Sequence, residues 1–208
     1  MKTGVILLNF GEPESPTMEA VVPFLERIFR TNMALEGTLS PEAKEARIRE
    51  LAEGRAPGLI EEYEMIGGSP LNAQAVAQAD ALEAELGRRG HDVDCVVAYQ
   101  FADPLIASVV AEAREDGVEQ LVGLPVYPLA GRSTTDAALA DLRRAVETLG
   151  WNVRIAEAGG WHAHPHFTAM WVDEVRKTIA AGGVSLDDPR VALVFSVHGT
   201  PMKYIEEG

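Results

Sequence analysis

Short apolar runs alternate with longer amphipathic stretches along the 208 residues of the chain. The apolar runs are rich in Val, Ile and Leu and show little polar alternation, which is typical of strands covered on both faces. They predict five strands, at residues 4–9, 92–99, 118–124, 152–157 and 190–196. The amphipathic stretches predict helices, including those at residues 70–88, 104–116, 135–149 and 165–181.

This alternation predicts an α/β fold. Pro70, Pro104 and Pro165 each stand where a first helical turn begins, a position at which the missing N–H of proline does no harm. Strands and helices in regular succession predict a parallel sheet with right-handed crossovers and helices on both faces. Ligands of such sheets bind outside the carboxyl ends of the strands, so we expect the functional residues in the loops that follow them.

Residues 31–66 depart from the alternation. The stretches "SPEAKEARIRELAEG" and "LIEEYEMIGG" predict two helical pieces without a strand between them. A helical insertion between the first two strands is the simplest account, and it would form a wall or lid over the loops.

Charge and cysteine content exclude several classes of protein. The formal net charge of −14 argues against binding of nucleic acid or an anionic membrane through a broad basic face. The single cysteine, Cys95, lies in an apolar run and is expected to be a buried, inert thiol. One cysteine also excludes an iron–sulfur cluster held by this chain alone. The first apolar run is too short to span a membrane, and we expect a cytoplasmic protein.

Two loop segments carry candidate chemistry with a simpler alternative beside it. "GGSPL" places Ser69 at a predicted helix N-cap, where free N–H groups could form an anion site. The alternative is a plain capped helix start, and the residues alone favour this alternative. "WHAHPHF" places His162, His164 and His166 at alternate positions. A surface metal site is one interpretation, and solvent-exposed loop histidines are the favoured one.

His198 stands at the end of the last predicted strand, in "FSVHGTP". A neutral imidazole carried on a rigid strand could bind a borderline cation such as Fe²⁺ or act as a base. From the residues alone, this role and that of an ordinary turn residue are equally supported.

Taken together and in order, these loops resemble the ferrochelatase family, whose members insert ferrous iron into a porphyrin to make heme. The similarity covers the whole chain: "LLNFGEP" after the first strand, "YEMIGGSPL" before the long helix, "ADPLI" after the second strand, "YP" with "ST" after the third, and "SVHGTP" at the end. Each motif is weak by itself, whereas the ordered set is specific.

The resemblance implies that His198 is the catalytic residue, which meets the metal or takes up the pyrrole protons. It also implies an apolar slot for a flat macrocycle, with polar side chains for its propionates. The substrate-binding residues that it implies come from four loops: Phe10, Ser69, Phe101, Tyr127, Leu129, Ser133 and Thr134. Iron would be a substrate, and no cofactor would be retained.

The implied activity is insertion of Fe²⁺ into protoporphyrin IX or coproporphyrin III with release of two protons. The alternative is a non-catalytic porphyrin-binding or half-chelatase subunit that needs a partner lobe. The expected partners are porphyrin and Fe²⁺, without nucleic acid. A peripheral membrane contact and a separate C-terminal lobe stay open as further partners.

Members of this family have two similar α/β lobes, and the chain departs from them in length and at several positions. Residues 1–189 correspond to the N-terminal, Rossmann-like lobe. Residues 190–208 correspond to the first strand and loop of a second lobe. The rest of that lobe, which carries the family's catalytic glutamate, is absent from the sequence. Tyr99, Gln100 and Phe101 stand where members often have Met-Arg-Tyr. Residues 129–131 are Leu-Ala-Gly, where glutamine, an aromatic residue and serine are usual.

Overall fold

The structure, a computed structural model, describes residues 2–32, 39–196 and 202. Contacts between residues divide the chain into two units. One comprises Met1–Val126 and Ala138–Ala158, and the other comprises Tyr127–Ala137 and Gly159–Gly208. The domain boundary that the sequence suggests between residues 189 and 190 stays a prediction.

The first unit is built on a parallel sheet. Its strands are β1 (Thr3–Asn9), β2 (Val93–Tyr99), β3 (Gln120–Pro125) and β4 (Arg154–Glu157). Their order in space is β2-β1-β3-β4, and all three pairings are parallel. Strand β1 therefore lies inside the sheet, and every residue after Thr3 is buried. The predicted parallel α/β fold is confirmed.

Helices cover both faces of this sheet. They are α1 (Met18–Asn32), α2 (Pro41–Met65), α3 (Leu71–Arg88), α4 (Ile106–Glu115) and α5 (Ala137–Thr148). Because side chains alternate along a strand, Val5 and Leu7 point to one face and Ile6 and Leu8 to the other. Val5 and Leu7 belong to a buried cluster that includes residues of α1, α2 and α3.

On the opposite face, Gly123 of β3 brings α5 close to the sheet. A Cβ atom at this position would lie 2.6 Å from Cδ2 of Leu142 and 3.0 Å from Cδ2 of Leu139. Leu142 is fully buried. The absence of a side chain at Gly123 therefore sets the spacing between α5 and the sheet.

The second unit contains α6 (Pro165–Ala181), preceded by a short 3₁₀ turn at Trp161–Ala163. Trp161 packs edge-on against Phe167, with ring centroids 5.1 Å apart, and Phe167 against Trp171 at 6.1 Å. No residue of α6 is buried. The bounds of this helix agree with those predicted from the sequence.

Two helical features differ from the prediction because of proline. Helix α1 was not predicted, although Val21, Phe24, Leu25 and Ile28 follow the period of an amphipathic helix. Pro23 lies inside it and obscures the pattern, since an interior proline removes a backbone hydrogen bond. The two pieces predicted within residues 31–66 form one helix, α2.

Helix α2 continues through Pro57. Ile48, Ala52 and Ala56 are all fully buried and lie four residues apart, on one face of the helix. Burial of this face offsets the cost of the interior proline, about 3 kcal/mol.

The predicted strand at residues 190–196 is wrong. Residues 191–196 have no regular secondary structure, and Val194 and Phe195 are 82% and 78% exposed. A strand needs a neighbour that pairs with its N–H and C=O groups. Within the described part of the chain, no strand pairs with this segment.

Among the described residues there is also no helix with the length and apolar content needed to cross a membrane.

The buried thiol of Cys95 should be unreactive in the folded chain. Burial raises its pKa to about 11, and the negative charges of Glu83 and Asp94 contribute smaller parts of this increase. Because the thiolate is the reactive form, we expect alkylation by iodoacetamide at about pH 8 to be at least about tenfold slower in the folded chain than in urea. Equal rates would contradict this placement of Cys95.

Gly123→Ala should destabilise the first unit by about 1–3 kcal/mol, since the added methyl group forces Leu139 and Leu142 to move. The measurement is the free energy of unfolding in urea. Gly54→Ala is the matched control: Gly54 lies inside α2 with open space around it, so alanine should add about 0.5–1 kcal/mol. A neutral Gly123→Ala would show that α5 does not approach the sheet closely.

Candidate functional site

The loops that follow β1 and β2 lie side by side at the carboxyl edge of the sheet. The backbone N–H of Gln100 donates to the carbonyl of Asn9 at 3.0 Å, and that of Phe101 donates to the carbonyl of Phe10 at 3.2 Å. The pairing of the two strands thus continues into their loops. The buried side chain of Asn9 also accepts a hydrogen bond from the N–H of Phe10, at 2.7 Å.

Gly11 makes this close approach possible. Its φ is +84°, in the left-handed region that favours glycine. A Cβ atom there would lie 2.7 Å from the Cβ of Ala102 and 3.0 Å from the Cβ of Tyr99. The loop after β1 therefore needs glycine both for its conformation and for its contact with the loop after β2.

Two of the predicted substrate-binding residues meet in an aromatic cluster. The ring of Phe10 lies 4.5 Å from that of Phe101 and 6.1 Å from that of Phe24. Phe101 is only 7% exposed, whereas Phe10 is half-buried. Phe101 thus belongs to the core, and Phe10 is the member of the pair with a face accessible to a ligand.

A cavity of about 520 Å³ lies beside Phe101, and Gln100 and Ile106 also line it. Its three arginines each pair with a carboxylate: Arg27 with Asp103, Arg30 with Glu45 and Arg144 with Asp141. The side-chain amide of Gln100 also donates to Asp141, at 3.2 Å. An anionic ligand would have to compete with these carboxylates.

The predicted anion site at the start of α3 already holds a carboxylate of the protein. The helix begins at Leu71, one residue later than predicted, with Pro70 at the N-cap. Ser69 Oγ accepts a hydrogen bond from the N–H of Leu71 at 3.3 Å. The N–H of Asn72 donates to Glu12 Oε1 at 2.9 Å. Glu12 thus takes one of the N–H groups that would hold an anion, and the role of Ser69 stays a prediction.

Glu12 is buried, with 7% of its surface exposed. Its backbone carbonyl accepts a second hydrogen bond, from Asn72 Nδ2 at 3.2 Å. The hydroxyl of Tyr99 donates to the backbone carbonyl of Asn72 at 3.3 Å. Burial raises the pKa of both Tyr99 and Tyr63, and the negative charge of Glu12 adds to this effect. One carboxylate thereby influences residues from α2, α3 and β2.

The second unit contains the other predicted substrate-binding residues, Tyr127, Leu129, Ser133 and Thr134. Ser133 and Thr134 lie in a π-helical turn, Arg132–Asp136, a rare element that is common at functional sites. Leu129 is 66% exposed. The hydroxyl of Thr134 donates to the carbonyl of Gly131 at 3.3 Å.

The loop that carries these residues is fixed to the segment that precedes α6. The N–H of His162 donates to the carbonyl of Pro128 at 3.0 Å, and the buried hydroxyl of Thr135 donates to the carbonyl of Leu129 at 3.4 Å. Burial also raises the pKa of the Tyr127 phenol well above its ordinary value. The loop after β3 is thus held by backbone and side-chain contacts within its own unit.

His198, the predicted catalytic and metal-binding residue, lies outside the residues that the structure describes. His162, His164 and His166 are exposed, as expected from the sequence, and His164 Nδ1 accepts a hydrogen bond from the N–H of His166 at 3.3 Å. Within the described ranges, no group of three or more His, Cys, Asp or Glu side chains is placed to hold a metal ion. The metal-binding role of His198 stays a prediction.

A sequence model of the family described as Ferrochelatase matches residues 2–208, nearly the whole chain. The chain belongs to the ferrochelatase family.

Individual relatives agree with this assignment. A ferrochelatase of Synechococcus sp. (strain JA-3-3Ab) is 35% identical over 210 residues, which cover 99% of this chain and 60% of the relative. The ferrochelatase of Geotalea uraniireducens is 31% identical, and the match covers 100% of this chain and 62% of the relative. That of Aquifex aeolicus is 30% identical, with 100% and 63% covered. The chain thus spans 60–63% of the length of these relatives.

Sequence reasoning did not find the roles of Glu12 and Asn72 in this member of the ferrochelatase family. Glu12 follows Gly11 in the loop after the largely apolar strand β1, and Asn72 lies in the first turn of α3. The free N–H groups and the dipole at a helix start favour a nearby carboxylate. A carboxylate in the loop after β1 was therefore the one feature of the sequence that could have indicated this contact. The two residues are 60 positions apart in the sequence, and no local pattern indicates their contact.

Glu12→Ala should lower the free energy of unfolding by about 1–3 kcal/mol, because it leaves the N–H of Asn72, at the start of α3, without its charged acceptor. Urea unfolding followed by circular dichroism measures this change. Glu14→Ala is the control: Glu14 is exposed in the same loop and should change the stability by less than about 0.5 kcal/mol. Equal effects of the two substitutions would contradict the role of Glu12.

Proposed function

We propose that this protein is a ferrochelatase, which inserts Fe²⁺ into protoporphyrin IX or coproporphyrin III and releases two protons. The observation that carries the proposal is the family match over residues 2–208. The names of the relatives and the parallel α/β fold also support it. Iron is a substrate in this proposal, no cofactor is retained, and the cytoplasm is the expected compartment.

Metalation requires two exchanges at the metal and the macrocycle. Fe²⁺ gives up water ligands for ring nitrogens, and the two pyrrole N–H groups each lose a proton. A neutral imidazole can serve in either exchange, as a metal ligand or as a base. We assign this task to His198, on the strength of the motif "SVHGTP".

The flat, apolar macrocycle needs accessible apolar side chains. Phe10 is half-buried at the carboxyl end of β1, and Leu129 is 66% exposed in the loop after β3. Both have surface available for contact with a ring. The hydroxyls of Ser69, Ser133 and Thr134 are the candidates for its carboxylates. Phe101, being buried, would act by supporting Phe10.

A second function, that of a non-catalytic porphyrin-binding subunit that needs a partner lobe, is favoured by one observation. Glu12 takes up an N–H group at the start of α3, a candidate position for a porphyrin carboxylate. Such a protein would bind the macrocycle without adding a metal to it.

The full-length gene product, incubated without oxygen with free-base porphyrin and Fe²⁺ or Zn²⁺, should convert the absorption spectrum to that of the metalloporphyrin. His198→Ala should lower the rate by about 10²–10⁴-fold, the usual contribution of a positioned base, with porphyrin binding retained. His162→Ala, in an exposed loop, should leave the rate unchanged.

The outcomes separate the two functions. Tight porphyrin binding without metal insertion by the wild-type protein would contradict the enzyme and favour the binding subunit. Insertion at equal rates by the wild type and His198→Ala would contradict the assignment of His198 while leaving the activity itself intact.

A further inference from the structure

A second cavity, of about 560 Å³, opens beside Glu12 in the first unit. We call it the Glu12 cavity. Residues from the loop after β1, from α1, from the start of α3 and from the loop after β2 line it. The lining residues that carry the argument are Glu12, Glu14, Glu19, Asn72, Asp103 and Arg27.

Two oxygen atoms of the residues that line this cavity lack a donor. Glu12 uses Oε1 to accept the N–H of Asn72, but its buried Oε2 has no hydrogen-bond partner within the described part of the protein. The buried Oδ1 of Asn72 has none there either. A buried acceptor without a donor costs about 1–3 kcal/mol, and more when it is charged. Both atoms therefore call for a partner that the described residues do not supply.

The charge of the lining is negative. Glu12, Glu14, Glu19 and Asp103 contribute four carboxylates, whereas Arg27 contributes one positive charge. Arg27 is already engaged, with Asp103 at 3.0 Å and with the carbonyl of Phe101 at 3.1 Å. A water molecule could donate to the two unpaired oxygens but would leave the charge of the buried Glu12 carboxylate unbalanced. A cation would satisfy both the oxygens and the charge.

The donor set indicates the kind of cation. A carboxylate oxygen and an amide oxygen are hard ligands of the type that hold Mg²⁺, Ca²⁺ and Mn²⁺, whereas soft metals favour sulfur ligands. Hydrogen bonds from Asn72 to the side chain and to the backbone of Glu12 hold these two residues together before any ion arrives. The two residues are thus fixed against each other without an ion.

We propose that the Glu12 cavity binds a hard divalent cation, with Glu12 Oε2 and Asn72 Oδ1 as protein ligands. Glu14, Glu19 and Asp103 attract the ion, and water completes its coordination. The proposal concerns residues that the metalation reaction does not use, so it stands or falls independently of the proposed ferrochelatase activity.

The test uses Mn²⁺ as a paramagnetic probe, and the loss of its free electron-paramagnetic-resonance signal in the presence of the 208-residue chain measures binding. We expect one site, with a Kd within or below the range of about 10⁻⁴–10⁻³ M that is typical of weak oxygen-ligand sites, and competition by Mg²⁺ or Ca²⁺. Glu12→Gln preserves the shape of the side chain and should weaken binding at least about tenfold, or about 1.4 kcal/mol. Glu112→Gln, an exposed carboxylate on α4, is the matched control and should change nothing.

Glu19→Gln keeps the test decisive if Glu12→Gln fails to fold. Glu19 is exposed on α1, so its replacement spares the core, and loss of its charge at the cavity should weaken binding about two- to fivefold. No binding of Mn²⁺ up to about 10 mM, well above the expected Kd, would overturn the proposal. So would binding that survives both substitutions but disappears in His198→Ala.

Discussion

A buried carboxylate, Glu12, connects the centre of the sheet to the start of α3. The charge cannot stay buried without compensation, and the helix start cannot stay without acceptors. The hydrogen bond of 2.9 Å between Glu12 Oε1 and the N–H of Asn72 gives the helix start an acceptor and compensates part of the buried charge. Gly11 permits it, because the loop after β1 can turn tightly beside the loop after β2 only where no Cβ atom intervenes. The carboxyl edge of the sheet is organised around this contact.

This contact bears on how a member of the ferrochelatase family would hold a substrate that carries carboxylates. The first-turn N–H groups of α3 are shared between Ser69 and Glu12 of the protein itself. An incoming carboxylate at that position would meet the negative charge of Glu12. Under the proposed function, the hydroxyls of Ser133 and Thr134 therefore become the more suitable polar contacts. The same charge makes the neighbouring cavity a place for a cation.

The fold could be predicted from the sequence wherever the signal is local. Apolar runs give the four strands, and Pro165 marks the start of α6. Two interior prolines made the helices harder to predict. Pro23 interrupts the helical pattern of α1, and α2 continues through Pro57 because its buried alanines pack against the core. The segment 190–196 has the composition of a strand, but pairing depends on a neighbour, which composition does not report.

The site was less predictable, because its central contact is not local. The ordered motifs indicated the family, and Phe10 and Phe101 do meet, at 4.5 Å. They did not indicate that Phe101 is buried, or that Glu12 reaches Asn72 across 60 residues of sequence. A long-range pair of this kind has no periodicity, so only the three-dimensional arrangement reveals it.

Hydrogen exchange at the backbone amide of Asn72 tests the central contact most directly. If Glu12 accepts this N–H, the amide should exchange at least about 10²-fold more slowly than an unstructured amide, and Glu12→Ala should remove most of that protection. Fast exchange in the wild-type chain, or protection that Glu12→Ala leaves unchanged, would contradict the account.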